Sequence, residues 1–93
     1  MKHYIIVKFK DRNDTERVYE EVKTLFEKTL EIDGVNGVTL HKSNSDRTNR
    51  YSLMIEMEMT KEALEVYDAC DAHKQWKAEY GDLIESKAIF DCD

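Results

Sequence analysis

The stretch Tyr51–Met59, with the sequence YSLMIEMEM, carries the clearest pattern in the chain. Every second residue from Tyr51 to Met59 is apolar, and Ser52, Glu56 and Glu58 stand between the apolar positions. A period of two residues is typical of a β-strand that buries one face, because successive side chains point to opposite sides of a sheet. The stretch therefore predicts a strand packed on one side against a hydrophobic core.

Three further strands are predicted around this one. The first strand is indicated near the start of the chain by a strongly apolar face, in which His3, Ile5, Val7 and Phe9 alternate with Lys2, Tyr4, Ile6, Lys8 and Lys10. Shorter segments with strand character follow at 38–42 and at 85–92. The sequence thus predicts four strands, with 51–59 third in chain order.

Two helical regions separate these strands. Asn13 with Glu16 resembles a capping box at a helix start, and the apolar stripe behind it ends near Asp33-Gly34. Thr60 is predicted to cap a second helical region, with a break near Asp71. The apolar positions of the two regions are Val18, Val22, Leu25, Phe26 and Leu30 in the first, and Ala63, Leu64, Tyr67, Trp76 and Tyr80 in the second.

The order β-α-β-β-α-β predicts one α+β domain over residues 1–93, a ferredoxin-like sandwich with an antiparallel sheet and both helical regions on one face. The opposite sheet face would then expose an apolar patch, and such patches often mark interfaces. We expect a homodimer closed through this open sheet face into a dimeric α/β barrel. The patch consists of Tyr4, Ile6, Met54, Ala88 and Phe90.

Composition excludes several partners. Acidic residues outnumber basic ones by 20 to 14, a net charge of −6, so the chain has no basic surface suited to nucleic acid. No segment approaches the ~20 apolar residues that span a bilayer, so we expect no membrane partner. Cys70 and Cys92 lack metal-site or disulfide-framework spacing, which favours reduced thiols in the cytoplasm and no bound metal.

Three side chains could carry chemistry. The topology places His3, Tyr67 and His73 so that they can converge in a cleft between helices and sheet, with substrate-binding walls formed by Ile5, Val7, Phe26, Leu53, Ile55 and Trp76. An imidazole transfers protons near neutrality, and a phenol can hold a carbonyl oxygen or oxyanion. The sequence leaves a structural role open for each: His73 could bind a backbone carbonyl, Tyr67 could be a core tyrosine, and His3 could be a satisfied strand residue. Lys87 could line the cleft mouth or be an edge lysine.

Several segments together resemble the stress-responsive A/B-barrel (Dabb) family: the opening 2–10, the turn Ile32-Asp33-Gly34-Val35, the run 67–73 and the ending Lys87-Ala88-Ile89-Phe90-Asp91. The resemblance implies a dimeric barrel of ferredoxin-like subunits. It also implies catalytic roles for Tyr67 and His73 and a pocket role for His3, because a plant polyketide cyclase similar to this chain uses a tyrosine and a histidine with this spacing. That cyclase has a further pocket histidine where this chain has Leu53.

Three functions follow as hypotheses. The first is a cofactor-independent cyclase or isomerase that acts on a polyketide-like carbonyl compound through His73 and Tyr67. The second is a stress-responsive module that binds a small-molecule ligand without chemistry. The third is a cofactor-free monooxygenase-like barrel protein. None of the three requires a cofactor, and a shared fold does not choose among them.

Overall fold

A computed structural model describes all residues from 1 to 93. The strands are β1 (Lys2–Phe9), β2 (Val35–Lys42), β3 (Leu53–Met59) and β4 (Ile84–Cys92). The helices are α1 (Asp14–Glu27), α2 (Lys61–Asp68) and α3 (Asp71–Tyr80), with short 3-10 turns at Lys28–Glu31 and Gly81–Leu83. This order confirms the predicted β-α-β-β-α-β arrangement, and the second helical region breaks beside Asp71 as expected.

The four strands form one antiparallel sheet in the order β2-β3-β1-β4. In the centre, Ile5 of β1 lies opposite Ile55 on one side and Ile89 on the other. The same register places His3 opposite Met57 and Asp91. The ferredoxin-like α+β fold is therefore confirmed, and the register brings polar residues of β1 and β4 together at one end of the sheet.

The alternating pattern of β1 and β3 explains where the core lies. Val7, Ile55 and Met57 have no exposed surface, whereas the residues between them are half-buried or exposed. The helices cover this apolar face with a stripe that includes Val22, Phe26 and Trp76. Each such side chain stabilises the folded state by about 1.5–3 kcal/mol when it is buried rather than exposed. The core therefore fixes which residues of the sheet face the helices.

The turn before β2 depends on a glycine. Gly34 has a φ of +95°, a conformation that other residues rarely adopt, and a Cβ there would lie 2.6 Å from Thr60 Oγ1. The Gly34 carbonyl accepts a hydrogen bond of 2.9 Å from the Thr60 amide. Thr60 in turn caps α2, its hydroxyl accepting from the Ala63 amide at 3.2 Å, so this close contact sets where α2 begins.

Four details differ from the sequence-based expectations. β2 begins at Val35 rather than at residue 38, and Leu30, expected on the buried stripe, is exposed. Asn13 has helical dihedral angles and makes no capping hydrogen bond, because the Asp11 carboxylate instead accepts from its amide and starts a turn ahead of α1. β3 begins at Leu53 rather than at Tyr51. Ser52 makes two hydrogen bonds to β1: its amide donates to the Val7 carbonyl, and its hydroxyl accepts from the Phe9 amide. Tyr51 is left exposed.

The sheet face opposite the helices is the apolar patch that the sequence predicted. Tyr4, Ile6 and Met54 are only partly buried there, and Phe90 is 59% exposed. The rings of Tyr4 and Phe90 lie 6.4 Å apart across the β1–β4 pair. The face therefore remains uncovered in a single subunit.

Candidate functional site

Three rings from three elements meet beside the edge strand β4. The ring centres of His3 (β1) and Tyr67 (α2) lie 5.5 Å apart, and those of Tyr67 and His73 (α3) lie 4.8 Å apart. Tyr67 is thus flanked by both imidazoles, as the sequence analysis predicted.

The break between α2 and α3 makes this meeting possible. In a continuous helix, residues six positions apart are separated by about 120° around the axis, so Tyr67 and His73 would face different sides. Here Cys70 has extended backbone angles and begins α3 as its N-cap residue. Its Sγ accepts a hydrogen bond of 3.4 Å from the His73 amide, so Cys70 orients the first turn of α3 and does not touch the imidazole through this bond.

His73 has a defined tautomer. Its Nδ1 lies 2.9 Å from the carbonyl oxygen of Asp68, and because a carbonyl only accepts, Nδ1 carries the proton and donates it. In the neutral ring Nε2 is then unprotonated and able to accept a proton. The alternative that His73 binds a backbone carbonyl is therefore confirmed, and the same contact leaves Nε2 as the unprotonated nitrogen of the neutral ring.

His3 forms a pair that the sequence analysis missed. Its Nδ1 lies 2.5 Å from Oδ1 of Asp91, its cross-strand neighbour on β4. The imidazole is nearly buried, whereas the carboxylate is half exposed. Because a carboxylate only accepts hydrogen bonds, Nδ1 of His3 is the donor, and the contact fixes the orientation of the imidazole ring.

Tyr67 is buried, and its hydroxyl oxygen is enclosed without a hydrogen-bond partner. Burial raises the pKa of Tyr67 above its ordinary value, and the nearby Cys70 and Asp68 raise it further. The phenol therefore stays protonated at physiological pH and can act only as a neutral donor or acceptor. An orphan hydroxyl of this kind is uncommon in a folded core and is a reason to look for a ligand.

A cleft of about 260 Å³ opens next to these rings. Its walls are His3, Ile5, Leu64, Tyr67, Asp68, His73, Trp76, Lys77, Lys87, Ile89 and Asp91. Five of the predicted site residues therefore lie on it: His3, Ile5, Tyr67, His73 and Trp76. Lys87 lies there as well, which answers the question that the sequence left open about this residue.

Four predicted wall residues lie elsewhere. Val7, Phe26, Leu53 and Ile55 are buried in the core and do not line the cleft. Val7, Leu53 and Ile55 lie on the sheet face that the helices cover. Phe26 belongs to α1 and packs in the same core, edge-on to Trp76 at a ring distance of 5.2 Å. The cleft instead opens toward β4, whose Ile89 is 49% exposed.

Other features of the chain do not add to this site. His41 lies on the opposite sheet face and contacts Glu56 at 3.1 Å. No group of three or more His, Cys, Asp or Glu side chains is arranged to hold a metal ion. None of the helices has the length and apolar character needed to cross a bilayer.

The architecture is that of a ferredoxin-like α+β domain with an open sheet face and a cleft under its helices. Residues 1–93 match the model of the Stress responsive A/B Barrel Domain (Dabb), and the chain belongs to that family. No curated protein matches the chain significantly.

Solved structures with the same fold come from several organisms. A dimeric protein of unknown function from Bacteroides fragilis is 15% identical with a TM-score of 0.79, and the match covers 99% of this chain and 93% of that one. A Dabb family protein from Mesorhizobium loti is also 15% identical, with a TM-score of 0.75 and the same coverage. A protein from Arabidopsis thaliana is 22% identical, with a TM-score of 0.77 over 99% of this chain and 92% of that one. At these identities the similarity establishes the fold alone.

Proposed function

We propose that this protein is a cytoplasmic homodimer that takes a small carbonyl compound into the cleft and transfers protons on it, as a cofactor-independent cyclase or isomerase. One observation carries the proposal: Tyr67, with an unpartnered hydroxyl, stands between two histidines on a cleft whose other walls are formed by four apolar and four charged side chains. A buried residue with a shifted pKa in a concave site, here Tyr67, marks a candidate for acid–base chemistry.

The proposed roles follow from the hydrogen bonds. His73 Nε2 removes a proton from the carbon next to a carbonyl group, and the electron pair moves onto the carbonyl oxygen. Tyr67 donates a hydrogen bond to that oxygen. The enolate carbon then attacks a second carbonyl of the same molecule, and His73 returns the proton to the alkoxide that forms. In an unsaturated ketone, the extended enolate instead takes the proton back from His73 at its γ-carbon, which moves the double bond. Because the Tyr67 hydroxyl is enclosed, neighbouring side chains must shift slightly for a ligand to reach it.

His3 and Asp91 would support this chemistry from the other side of Tyr67. The contact with Asp91 holds the His3 ring in place beside Tyr67, where the imidazole can contact a polar atom of a bound ligand. His3 is thus proposed as a ligand-binding residue, with Asp91 as the residue that positions it.

The open sheet face supports the dimer part of the proposal. Two copies packed through Tyr4, Ile6 and Phe90 would remove this apolar surface from water, which is favourable by about 25 cal/mol per Å². Such an arrangement leaves the cleft on the helical side accessible in each copy.

Proton transfer can be tested with a simple ketone in D₂O. Deuterium incorporation into the α-carbon of 2-decanone, followed by NMR, reports proton abstraction whatever the natural substrate is. We expect the wild-type protein to accelerate exchange over buffer and His73→Asn to abolish the acceleration. The asparagine amide can still donate to the Asp68 carbonyl, so the fold should be retained.

Gln75→Ala serves as the matched control, because Gln75 is an exposed residue of α3 outside the cleft. Circular dichroism of each variant establishes that it is folded. Exchange by His73→Asn at the wild-type rate would refute the catalytic role of His73.

A second function, ligand binding without chemistry, is favoured by one observation. The cavity of about 260 Å³ lies just below the roughly 300–1,000 Å³ that ligand pockets span, so it leaves little room for a ligand to rearrange during a reaction. A protein that binds 2-decanone, shown by quenching of Trp76 fluorescence, without accelerating exchange would support this function over the first.

A further inference from the structure

We infer that the cleft selects ligands with a carboxylate group, which Lys77 and Lys87 bind at the end of the cleft away from the histidines. The inference rests on the proposed function, since it concerns the same cleft. It adds the chemical class of the ligand: an oxo acid whose reacting carbonyl and carboxylate are separated by an apolar chain.

The topology gives the cleft two different ends. β3 and β4 are both antiparallel to β1, so they are parallel to each other, and the helical connection between them runs in the opposite direction. His73, early in α3, therefore lies near Asp91, late in β4. Further along α3 and earlier in β4, Lys77 and Lys87 lie on the same cleft.

The charges differ between the two ends. Asp91 is held by His3, and Asp68 lies at the histidine end because its carbonyl accepts from His73. Lys2, Lys8 and Lys42 each pair with a glutamate, whereas Lys77 and Lys87, like the other lysines of the chain, form no ion pair. The lysine end thus presents two ammonium groups without a carboxylate partner.

The middle of the cleft is apolar. Ile5 and Trp76 form its floor, and Ile89 remains half exposed at its edge. An aliphatic chain would cover Ile89 and remove it from water, which is the favourable contribution expected of a hydrophobic ligand.

The spacing of the polar groups sets the length of the ligand. Lys77 is one helical turn beyond His73, about 6 Å along the axis of α3. Lys87 is four strand residues from Asp91, about 13 Å along β4. A carboxylate bound between the two flexible lysine side chains would therefore place a carbonyl several carbon atoms away beside Tyr67 and His73.

A matched pair of ligands tests the inference. Trp76 is the only tryptophan in the chain and lines the cleft, so its fluorescence reports binding directly. The probes are 5-oxodecanoate and its primary amide, which have the same chain and the same ketone but differ in charge. Exposed ion pairs each contribute up to about fivefold in affinity, so we expect the acid to bind about tenfold more tightly than the amide.

The variant K77Q/K87Q removes both charges and should reduce affinity for the acid about tenfold without changing affinity for the amide. Lys74→Gln is the control: it removes the same charge from an exposed position of α3 outside the cleft and should leave both affinities unchanged. The preference for the acid should also fall as salt is added.

Some outcomes would contradict only the selection of carboxylates, and another would also contradict the proposed function. Equal binding of acid and amide, or an equal loss of affinity for the acid in Lys74→Gln, would overturn charge selection while leaving the cleft as a binding site. Absence of any Trp76 response to either probe would overturn both the inference and the proposed function.

Discussion

Replacing Tyr67 by phenylalanine removes one oxygen atom and separates a functional tyrosine from a structural one. A buried hydroxyl that makes a hydrogen bond normally contributes to stability, so its removal destabilises a protein. The Tyr67 hydroxyl is enclosed and has no partner, and such a group destabilises the folded state by about 1–3 kcal/mol. We therefore expect Tyr67→Phe to be more stable than the wild-type protein, and less active.

The increase in stability expected for Tyr67→Phe can be measured by thermal unfolding. A stabilisation of about 1–2 kcal/mol in a domain of this size raises Tm by roughly 5–10 °C. Tyr80→Phe is the control, because Tyr80 is also buried but its hydroxyl is not enclosed, so its removal should change Tm by only a degree or two. The same Tyr67→Phe protein should lose the acceleration of deuterium exchange.

The raised pKa of Tyr67 makes the stability difference between the wild type and Tyr67→Phe depend on pH. Above pH 10 the unfolded chain loses the phenol proton while the folded chain keeps it, so this residue lowers wild-type stability by up to about 1.4 kcal/mol per pH unit. The advantage of Tyr67→Phe should therefore increase between pH 10 and pH 11 in urea titrations. A variant that melts below the wild type at pH 7 would refute the interpretation of Tyr67 as an unpartnered site residue.

Three further predictions follow from other contacts. Asp91→Asn should slow deuterium exchange severalfold while leaving far-UV circular dichroism unchanged, because it removes the negative charge beside His3; an unchanged rate would mean that Asp91 only stabilises the fold. Gly34→Ala should lower the free energy of unfolding in urea by about 1–3 kcal/mol, since the φ of +95° is unfavourable for alanine and its Cβ would meet Thr60 Oγ1; wild-type stability would contradict the proposed turn. Phe90→Asp should shift the protein from dimer to monomer in analytical ultracentrifugation, whereas an unaffected dimer would place the interface elsewhere.

The sequence predicted the fold because its patterns are local. The alternation in 53–59 fixes which face of β3 is buried, and Gly34 marks the turn that only a glycine makes easily. The errors were also local. The Asn13–Glu16 pattern predicts a cap that does not form, because the Asp11 carboxylate accepts from the Asn13 amide instead. Tyr51 continues the apolar alternation, although β3 begins only after the Ser52 contacts with β1.

The candidate site was predictable only in part. The spacing and the family resemblance pointed to Tyr67 and His73, but Asp91 becomes a partner of His3 only through the register of β1 and β4, which no local pattern encodes. The alternation of side chains along each strand predicted that Val7 and other residues face the helices. It could not show which part of that face the helices leave open, and this depends on how Trp76 and its neighbours pack.

We expect His73 to present an unprotonated Nε2 to a ligand beside Tyr67. Two-bond ¹H–¹⁵N NMR of the imidazole rings, recorded during titration with 5-oxodecanoate, tests it most directly. We predict the Nδ1–H tautomer for His73 and a ligand-dependent shift of its Nε2, with no shift for His41 on the opposite sheet face. An Nε2–H tautomer for His73, or equal shifts at His73 and His41, would contradict the account.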